Sequence, residues 1–297
     1  MTPDGMRPGG TTPDGVRPRQ QSDGQNVTGG QTSVGARLST VFDRARAEGR
    51  RVLMPYITGG FPSPEDCTRL IASFLDAGAD IVELGVPYSD PVADGPVVQA
   101  SAQRALAQGV TTDDVLRLAA AHRDRAPFVL LAYVNTVLAY GPERFFACCA
   151  ASGVAGVVVP DLPADEADPL IAVAAQAGVA VILLAAPPST DARLELIAGK
   201  ARGFIYCVAV TGVTGMRARS GDELPELVAR LRARTTLPLV AGFGIGTPGQ
   251  AREAGRLCDG VIIGSALIDM VAKSPTVDAA CATTAGLVRA TRAALGG

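Results

Sequence analysis

Glu83 lies in the run Ile81-Val82-Glu83-Leu84-Gly85, among the residue types that a buried β-strand selects. A carboxylate there costs free energy unless it is paired or put to use. Two further acids, Asp90 and Asp94, follow in the turn-rich stretch Val86-Pro87-Tyr88-Ser89-Asp90-Pro91-Val92-Ala93-Asp94-Gly95-Pro96. Desolvation at the end of a buried strand raises a carboxyl pKa, which suits the group to proton transfer near neutral pH. Glu83 is therefore the first candidate for acid/base chemistry. A structural pair with a buried arginine is the alternative.

The scarce residue types narrow the chemistry further. His122 is the only histidine, so one chain has no multi-histidine metal centre, and a Ser-His-Asp triad would have to use that imidazole. It sits in Val115–Arg123, near the end of an amphipathic helical pattern, and reads as a surface histidine favoured by the helix dipole. Lysine occurs only at Lys200 and Lys273, neither of them at the end of an apolar run, which argues against a Schiff-base mechanism or a pyridoxal enzyme of its own. The six cysteines (Cys67, Cys148, Cys149, Cys207, Cys258, Cys281) show no metal-ligand or CxxC spacing. No metal site is expected, and the chemistry falls to carboxylates.

Three glycine-rich turns supply a second feature: Thr211-Gly212-Val213-Thr214-Gly215, Gly242-Phe243-Gly244-Ile245-Gly246 and Gly264-Ser265. Glycine lets backbone amides approach an anion, and helix N-termini favour its charge. Each turn follows an apolar run, and Gly264-Ser265 opens a short helical stretch, Ala266–Val271. This pattern points to a bound phosphate, although neither a P-loop nor a full dinucleotide fingerprint is present. Ordinary turn glycines are the bland alternative in a chain with 34 of them.

These residues need elements to position them. Strand-like apolar runs occur at Val52–Ile57, Asp80–Gly85, Phe128–Tyr133, Ala155–Pro160, Val179–Leu184, Phe204–Val208, Pro238–Ala241 and Gly260–Gly264. Helical spacing separates them, as at Pro64–Ala77, Thr112–Arg125, Pro142–Ser152, Ala164–Ala177, Asp222–Arg234 and Pro248–Arg256. Eight continuous apolar strands alternating with helices predict an α/β fold, a parallel (β/α)8 TIM barrel. An open doubly wound sheet is the alternative, because pattern alone does not show closure. A helix at Arg37–Glu48 would cap the barrel bottom. In a barrel the functional groups gather where strands end, which is where Glu83 and the glycine turns fall. The connection from Val86 to Thr112 is unusually long and holds both aspartates.

Composition agrees with one globular domain. At 297 residues, 47% hydrophobic and 19% charged, the chain can bury a large core. A net charge of −2 argues against a nucleic-acid or anionic-membrane surface as the main partner. No apolar run approaches a membrane span, and no signal-peptide pattern opens the chain, so reduced thiols and a cytoplasmic setting are expected. Residues 1–34 differ: Thr2-Pro3-Asp4-Gly5 recurs as Thr12-Pro13-Asp14-Gly15 among polar residues. They are read as a disordered tail ahead of a barrel at 35–297.

At this point several motifs match one family. Glu83-Leu84-Gly85-Val86-Pro87-Tyr88-Ser89-Asp90-Pro91 with Ala93-Asp94-Gly95-Pro96 resembles the signature of the tryptophan synthase alpha chain. So do Pro55-Tyr56-Ile57-Thr58-Gly59-Gly60-Phe61-Pro62, Thr211–Gly215 and Gly242–Ile245, in one register from about residue 35 to 295. The resemblance implies cleavage of indole-3-glycerol phosphate to indole and glyceraldehyde 3-phosphate. It implies no cofactor in this chain. It also implies a pyridoxal-phosphate beta chain as partner in an α2β2 assembly, receiving the indole. By position Glu83 is the implied acid/base, and Asp94 the implied partner of the indole N–H. Gly215, Gly244, Gly264 and Ser265 would hold the phosphate, with Thr214 and Gly242 in the same turns. Tyr56, Leu131, Tyr206 and Phe243 would line the pocket, and Pro87, Asp90, Asn135, Asp161 and Pro163 would face the beta chain. Tyr56 and Tyr88 stand where phenylalanine is frequent, and Val210 where some members carry arginine. Three alternatives stay open: a free-standing lyase, another phosphate-binding barrel such as a sugar-phosphate isomerase, and a regulatory chain acting on its partner.

Overall fold

The computed structural model describes residues 34–208 and 223–296. The segment before residue 34, read above as a tail, lies outside the described residues, as do Val210 and the turn Thr211–Gly215. Eight strands form the interior: β1 (Val52–Thr58), β2 (Val82–Gly85), β3 (Phe128–Leu131), β4 (Val154–Val158), β5 (Ala180–Ala185), β6 (Ile205–Val208), β7 (Leu239–Gly242) and β8 (Gly260–Ile263). Each pairs in parallel with the next, and β8 returns to β1 with Val52 opposite Gly260 and Pro55 opposite Ile263. That last ladder closes the barrel and removes the open-sheet alternative. The composition agrees with a parallel sheet covered on both sides: these strands are buried on both faces and carry Val, Ile and Leu almost without alternation.

Among the described residues twelve helices pack on the barrel: α1 (Val34–Ala47), α2 (Pro64–Asp76), α3 (Pro96–Ala107), α4 (Thr112–His122), α5 (Val134–Tyr140), α6 (Pro142–Ala151), α7 (Asp168–Gln176), α8 (Asp191–Lys200), α9 (Glu223–Arg232), α10 (Pro248–Leu257), α11 (Ser265–Lys273) and α12 (Val277–Ala294). Ser63, Thr111, Thr190, Thr247 and Thr276 each cap a helix N-terminus through a side-chain oxygen, removing one orphan N–H. The long connection after β2 is shorter than the sequence suggests. Its second half is α3, opened by Gly95-Pro96, where proline's fixed φ suits the first helical turn. The buried face of α3 is Ser101, Ala102 and Ala105, too small and mixed to register as an apolar stripe.

The two ends of the barrel do different work. At the bottom, Leu38 and Phe42 of α1 plug the opening against glycines. The Leu38 methyl lies 3.0–3.2 Å from the Cβ positions that side chains at Gly203 and Gly156 would occupy. Beside them Asp80, 8% exposed, accepts hydrogen bonds from Arg50 Nη1 at 2.7 Å, Arg292 Nη1 at 2.7 Å and the Leu53 amide at 2.9 Å. Arg292 also donates to the Arg51 carbonyl at 2.7 Å, so this one acid ties α12 and the residues before β1 to the start of β2. A buried charge with this many donors is fully compensated, and removing it strands two guanidinium groups together. Asp80→Ala is expected to cost about 3–5 kcal/mol of stability, read as a lowered urea midpoint. A midpoint within experimental error of the parent's would remove this cluster from the account of the fold.

Candidate active site

A cavity of about 410 Å3 opens at the carboxyl ends of the strands, lined mainly by apolar side chains with a few convergent polar groups. Glu83, Asp94, Tyr56, Leu131, Tyr206, Phe243, Gly244, Gly264 and Ser265 all border it, so most of the residues singled out from sequence meet in one place. Val97, Val98, Val208, Ile245 and Ile262 complete the walls. Periodicity marks these as ordinary core residues, and nothing in their type separates wall from core. Gly242 is not at the surface of the cavity. It lies under Tyr206, whose hydroxyl oxygen is 2.3 Å from where a Cβ at 242 would stand. Gly85 has the same relation to Tyr56, at 2.1 Å, and Gly264 packs on the Tyr56 Cβ at 3.2 Å. Glycine is therefore needed on β2, β7 and at the end of β8 to seat the two aromatic rings.

Glu83 is 1% exposed, and its Oε1 has no hydrogen-bond partner among the described residues. Among the described residues no arginine pairs with it, which leaves the paired structural role without support. Burial first, then the nearby Asp94 charge, pushes its pKa up to about 8. Asp94, half-buried on the loop after β2, is raised by burial to about 6, with a hydrogen bond from Tyr133 pulling the other way. At neutral pH the pair therefore divides: Glu83 holds a proton and Asp94 carries charge. Two acids with separated pKa values are the usual arrangement for a proton donor beside an electrostatic stabiliser.

Tyr133 is a site residue that sequence reading missed. It is 1% exposed, and its hydroxyl accepts the Ala93 amide at 3.0 Å, which sets it beside the Asp94 carboxylate whose pKa it lowers. Nothing in the run Ala132-Tyr133-Val134 distinguishes this tyrosine from a core aromatic. Burial and the Asp94 charge push its own pKa up, so it stays a donor.

The turn after β7 and the start of α11, which follows β8, form another wall, three and two strands from Glu83 around the barrel. Phe243 has φ 67° and Gly244 φ 76°; among the described residues Phe243 is the one non-glycine at positive φ. A bulky side chain held there costs roughly 1–3 kcal/mol, and such strain collects at functional turns. Helix α11 begins at Ser265 with Gly264 as its N-cap and no side-chain cap, unlike α10, where Thr247 and Gln250 form a capping box. Its open amides lie at the cavity wall with no acidic residue in the first turn. This is the geometry of an anion site.

The remaining expectations are met unevenly. Asp90, Asn135 and Pro163 are exposed at the rim and Asp161 is partly so, but Pro87 is buried within the chain itself and offers little surface. Asp161 instead accepts the Val134 amide at 2.8 Å, joining the loops after β3 and β4. His122 is not a plain surface histidine. Its Nε2 is buried without a partner, and desolvation, then Arg125, lowers its pKa. Lys200 and Lys273 pair with Asp168 and Asp269, away from the cavity. All six cysteines are free, four of them buried. No helix among the described residues is long and apolar enough to cross a membrane.

Comparison with known proteins places these features in context. Residues 42–293 match the family model described as tryptophan synthase alpha chain. The chain is 44% identical over 246 residues to the tryptophan synthase alpha chain of Chloroflexus aurantiacus, covering 82% of this chain and 92% of that one. It is 46% identical over 236 residues to the alpha chain of Gluconacetobacter diazotrophicus, covering 78% and 86%. Among solved structures, a chain of Mycobacterium tuberculosis tryptophan synthase superposes with a TM-score of 0.80 at 35% identity, over 88% of this chain and 98% of that one.

Because the Glu83 pKa rises on folding, its contribution to stability is full below its unfolded value near 4.5 and is lost as pH climbs through about 8. Glu83→Gln removes that dependence. The variant is expected to gain on the parent by up to about 1.4 kcal/mol per pH unit across this window. Parallel unfolding midpoints for the two proteins between acid and mildly alkaline pH would show that Glu83 is not held neutral.

Proposed function

The chain belongs to the tryptophan synthase alpha chain family, and from that we propose that it is a carbon–carbon lyase cleaving indole-3-glycerol phosphate to indole and glyceraldehyde 3-phosphate. The observation that carries this reading is the pairing of a protonated buried acid with an ionised one in a single cavity, facing an anion cradle.

Breaking this bond needs an electron sink. Protonating indole at C3 makes the ring itself the sink, so the step asks for no cofactor in this chain. Pyridoxal phosphate is assigned to the beta partner. In the proposed reaction the phosphate sits at Gly244, Gly264 and Ser265, with Gly215 and Thr214 on the turn after β6. The indole lies among Tyr56, Leu131, Tyr206 and Phe243. Glu83 gives its proton to C3, and positive charge develops on the ring as the N–H hydrogen-bonds the Asp94 carboxylate. The C3–C1′ bond then breaks. Its electrons return to the ring, the C1′ hydroxyl becomes the aldehyde, and its proton goes to the Glu83 carboxylate. Glu83 is left as it began, and indole and the aldose phosphate are free to leave.

The rim supports a partner on the same face. Val92 is 84% exposed and Leu138 54%, an unusual exposure for large apolar side chains; Asp90 shares the segment after β2 with Val92, Asn135 shares α5 with Leu138, and Pro163 is exposed after β4. We assign this surface to the beta chain.

Indole release from indole-3-glycerol phosphate, assayed with and without a beta chain, tests the reading. The parent is expected to form indole in both conditions, and a chain silent in both would overturn it. Glu83→Gln should lose about 10²–10⁴-fold in kcat, and Asp94→Asn a loss of similar order with little change in folding. In the parent, kcat/KM is expected to rise as Asp94 ionises near 6 and fall as Glu83 deprotonates near 8, with the acid limb absent in Asp94→Asn. For the partner surface, Leu138→Asp should weaken beta-chain binding about tenfold or more while leaving the isolated reaction within about twofold. Unchanged affinity would move the interface elsewhere.

A further inference from the structure

Tyr88 has no assigned part in the reaction above, yet it sits between the rim and the catalytic loop. Asn135, exposed on α5, donates from Nδ2 to the Tyr88 hydroxyl at 3.1 Å. The Tyr88 ring stacks on Tyr133, with centroids 5.0 Å apart and planes 23° from parallel. A hydroxyl has one proton to give. Tyr133 accepts from the Ala93 amide at 3.0 Å, which leaves its own proton free for the neighbouring Asp94 carboxylate. The rotation of the Tyr133 ring therefore sets where that donor points, and Tyr88 is the side chain that covers one of its faces.

Among the described residues Asp94 has little other rigid support. Its neighbours Val92 and Ala93 are exposed, and the loop is held by a few further hydrogen bonds. Among them are Gln99 Nε2 to the Asp94 carbonyl at 2.8 Å and to the Pro91 carbonyl at 3.4 Å, the Asp94 amide to the Pro91 carbonyl at 3.1 Å, the Val92 amide to the Asp90 carbonyl at 2.9 Å, and Gln103 Nε2 to the Ser89 carbonyl at 3.3 Å. These hold backbone and none orients the Asp94 carboxylate. The buried Tyr133, anchored at Ala93, is the group placed to do so, and its ring rests on the stack.

We propose that Tyr88 is a positioning residue for the cleavage step: its ring clamps Tyr133 so that the Tyr133 hydroxyl aims the Asp94 carboxylate, and its hydroxyl ties this clamp to Asn135 at the rim. The inference rests on the lyase reading for its kinetic consequence, though not for its geometry. A phenylalanine at 88 would keep the stack and lose only the tie to Asn135. An alanine would lose both. The anion cradle lies on β7 and α11, beyond reach of either change, so substrate binding should be spared.

Two measurements test the proposal. In steady-state indole formation, Tyr88→Ala is expected to lower kcat about tenfold with KM within twofold, while Tyr88→Phe stays within about twofold of the parent in the isolated chain. The same Tyr88→Ala change made in Asp94→Asn should cost less than twofold more, because the carboxylate it positions is already gone. An equal tenfold loss in both backgrounds would show that Tyr88 acts without Asp94 and would overturn the proposal. The second measurement needs no turnover. Titration of the Asp94 side-chain carbonyl carbon by NMR should show an upward shift in Tyr88→Ala and none in Tyr88→Phe, as the Tyr133 bond loosens. Asp94 faces Glu83, Tyr56, Tyr133 and Tyr206, so the titration is read in full-length chains that keep all four. An unshifted Asp94 in a folded Tyr88→Ala chain overturns the positioning role. A parent that forms no indole while Asp94 shifts as stated overturns the lyase reading and leaves the clamp standing.

Discussion

One uncompensated acid governs how this barrel is built. Glu83 stands on the inner wall of β2 with no paired cation and one oxygen unpartnered among the described residues. Burying an ionised carboxylate this way would cost several kcal/mol, so the group keeps its proton, and the protein tolerates it because a neutral carboxyl costs far less. That condition holds only while the interior stays dry. A closed barrel gives it, since every strand finds two neighbours and no edge admits water. The stability lost at high pH is the counterpart of having a proton donor at pH 7.

The other polar groups follow from keeping the interior dry yet open to a ligand. Tyr56 and Tyr206 fill the space around Glu83, and desolvation raises both hydroxyls well above their ordinary range, so they remain neutral beside it. Their rings fit because Gly85 and Gly242 leave room where a Cβ would collide. The anion site is managed differently. Its charge stabilisation comes from the amides of α11, left without a side-chain cap, and from a strained turn at Phe243. Neither device places a formal positive charge in the cavity. A lysine or arginine there would pull the Glu83 proton off and defeat the acid, so phosphate is best held by dipoles.

Much of this was legible in the sequence, for identifiable reasons. Eight apolar runs alternating with helices pointed to a parallel α/β sheet, because burial on both faces leaves little freedom in composition, while closure came from the β8–β1 ladder. Glu83 stood out since its type conflicts with its surroundings. The glycine turns did so because they recur at successive strand ends. What escaped were residues whose types agree with their surroundings. Tyr133 reads as core from its neighbours, and its use is set by a ring orientation that only packing determines. Helix α3 escaped because its buried face is made of serine and alanine. Pro87 was expected at the rim by its place in a motif, but the packed chain buries it. His122 misled because its helix position favours the charged form, while desolvation and then Arg125 lower its pKa.

The division of labour between the two acids also explains why they sit on such different supports. Glu83 lies within a strand paired on both sides, where Tyr56 and Val129 are its ladder neighbours, and its position is set as firmly as any in the molecule. A proton donor must meet one ring carbon, so it gains from that rigidity. Asp94 lies on a loop at the mouth, half-buried, beside a tyrosine that holds the neighbouring Ala93 amide. A group in the entrance has to let substrate in and product out, which a strand-borne side chain could not do without opening the barrel. The exposed Val92 and the rim residues belong to this same loop system. A protein seated there would press on the segment that carries Asp94 and leave Glu83 untouched. Any coupling between a docked partner and cleavage must then act through the charge-stabilising acid and not the proton donor.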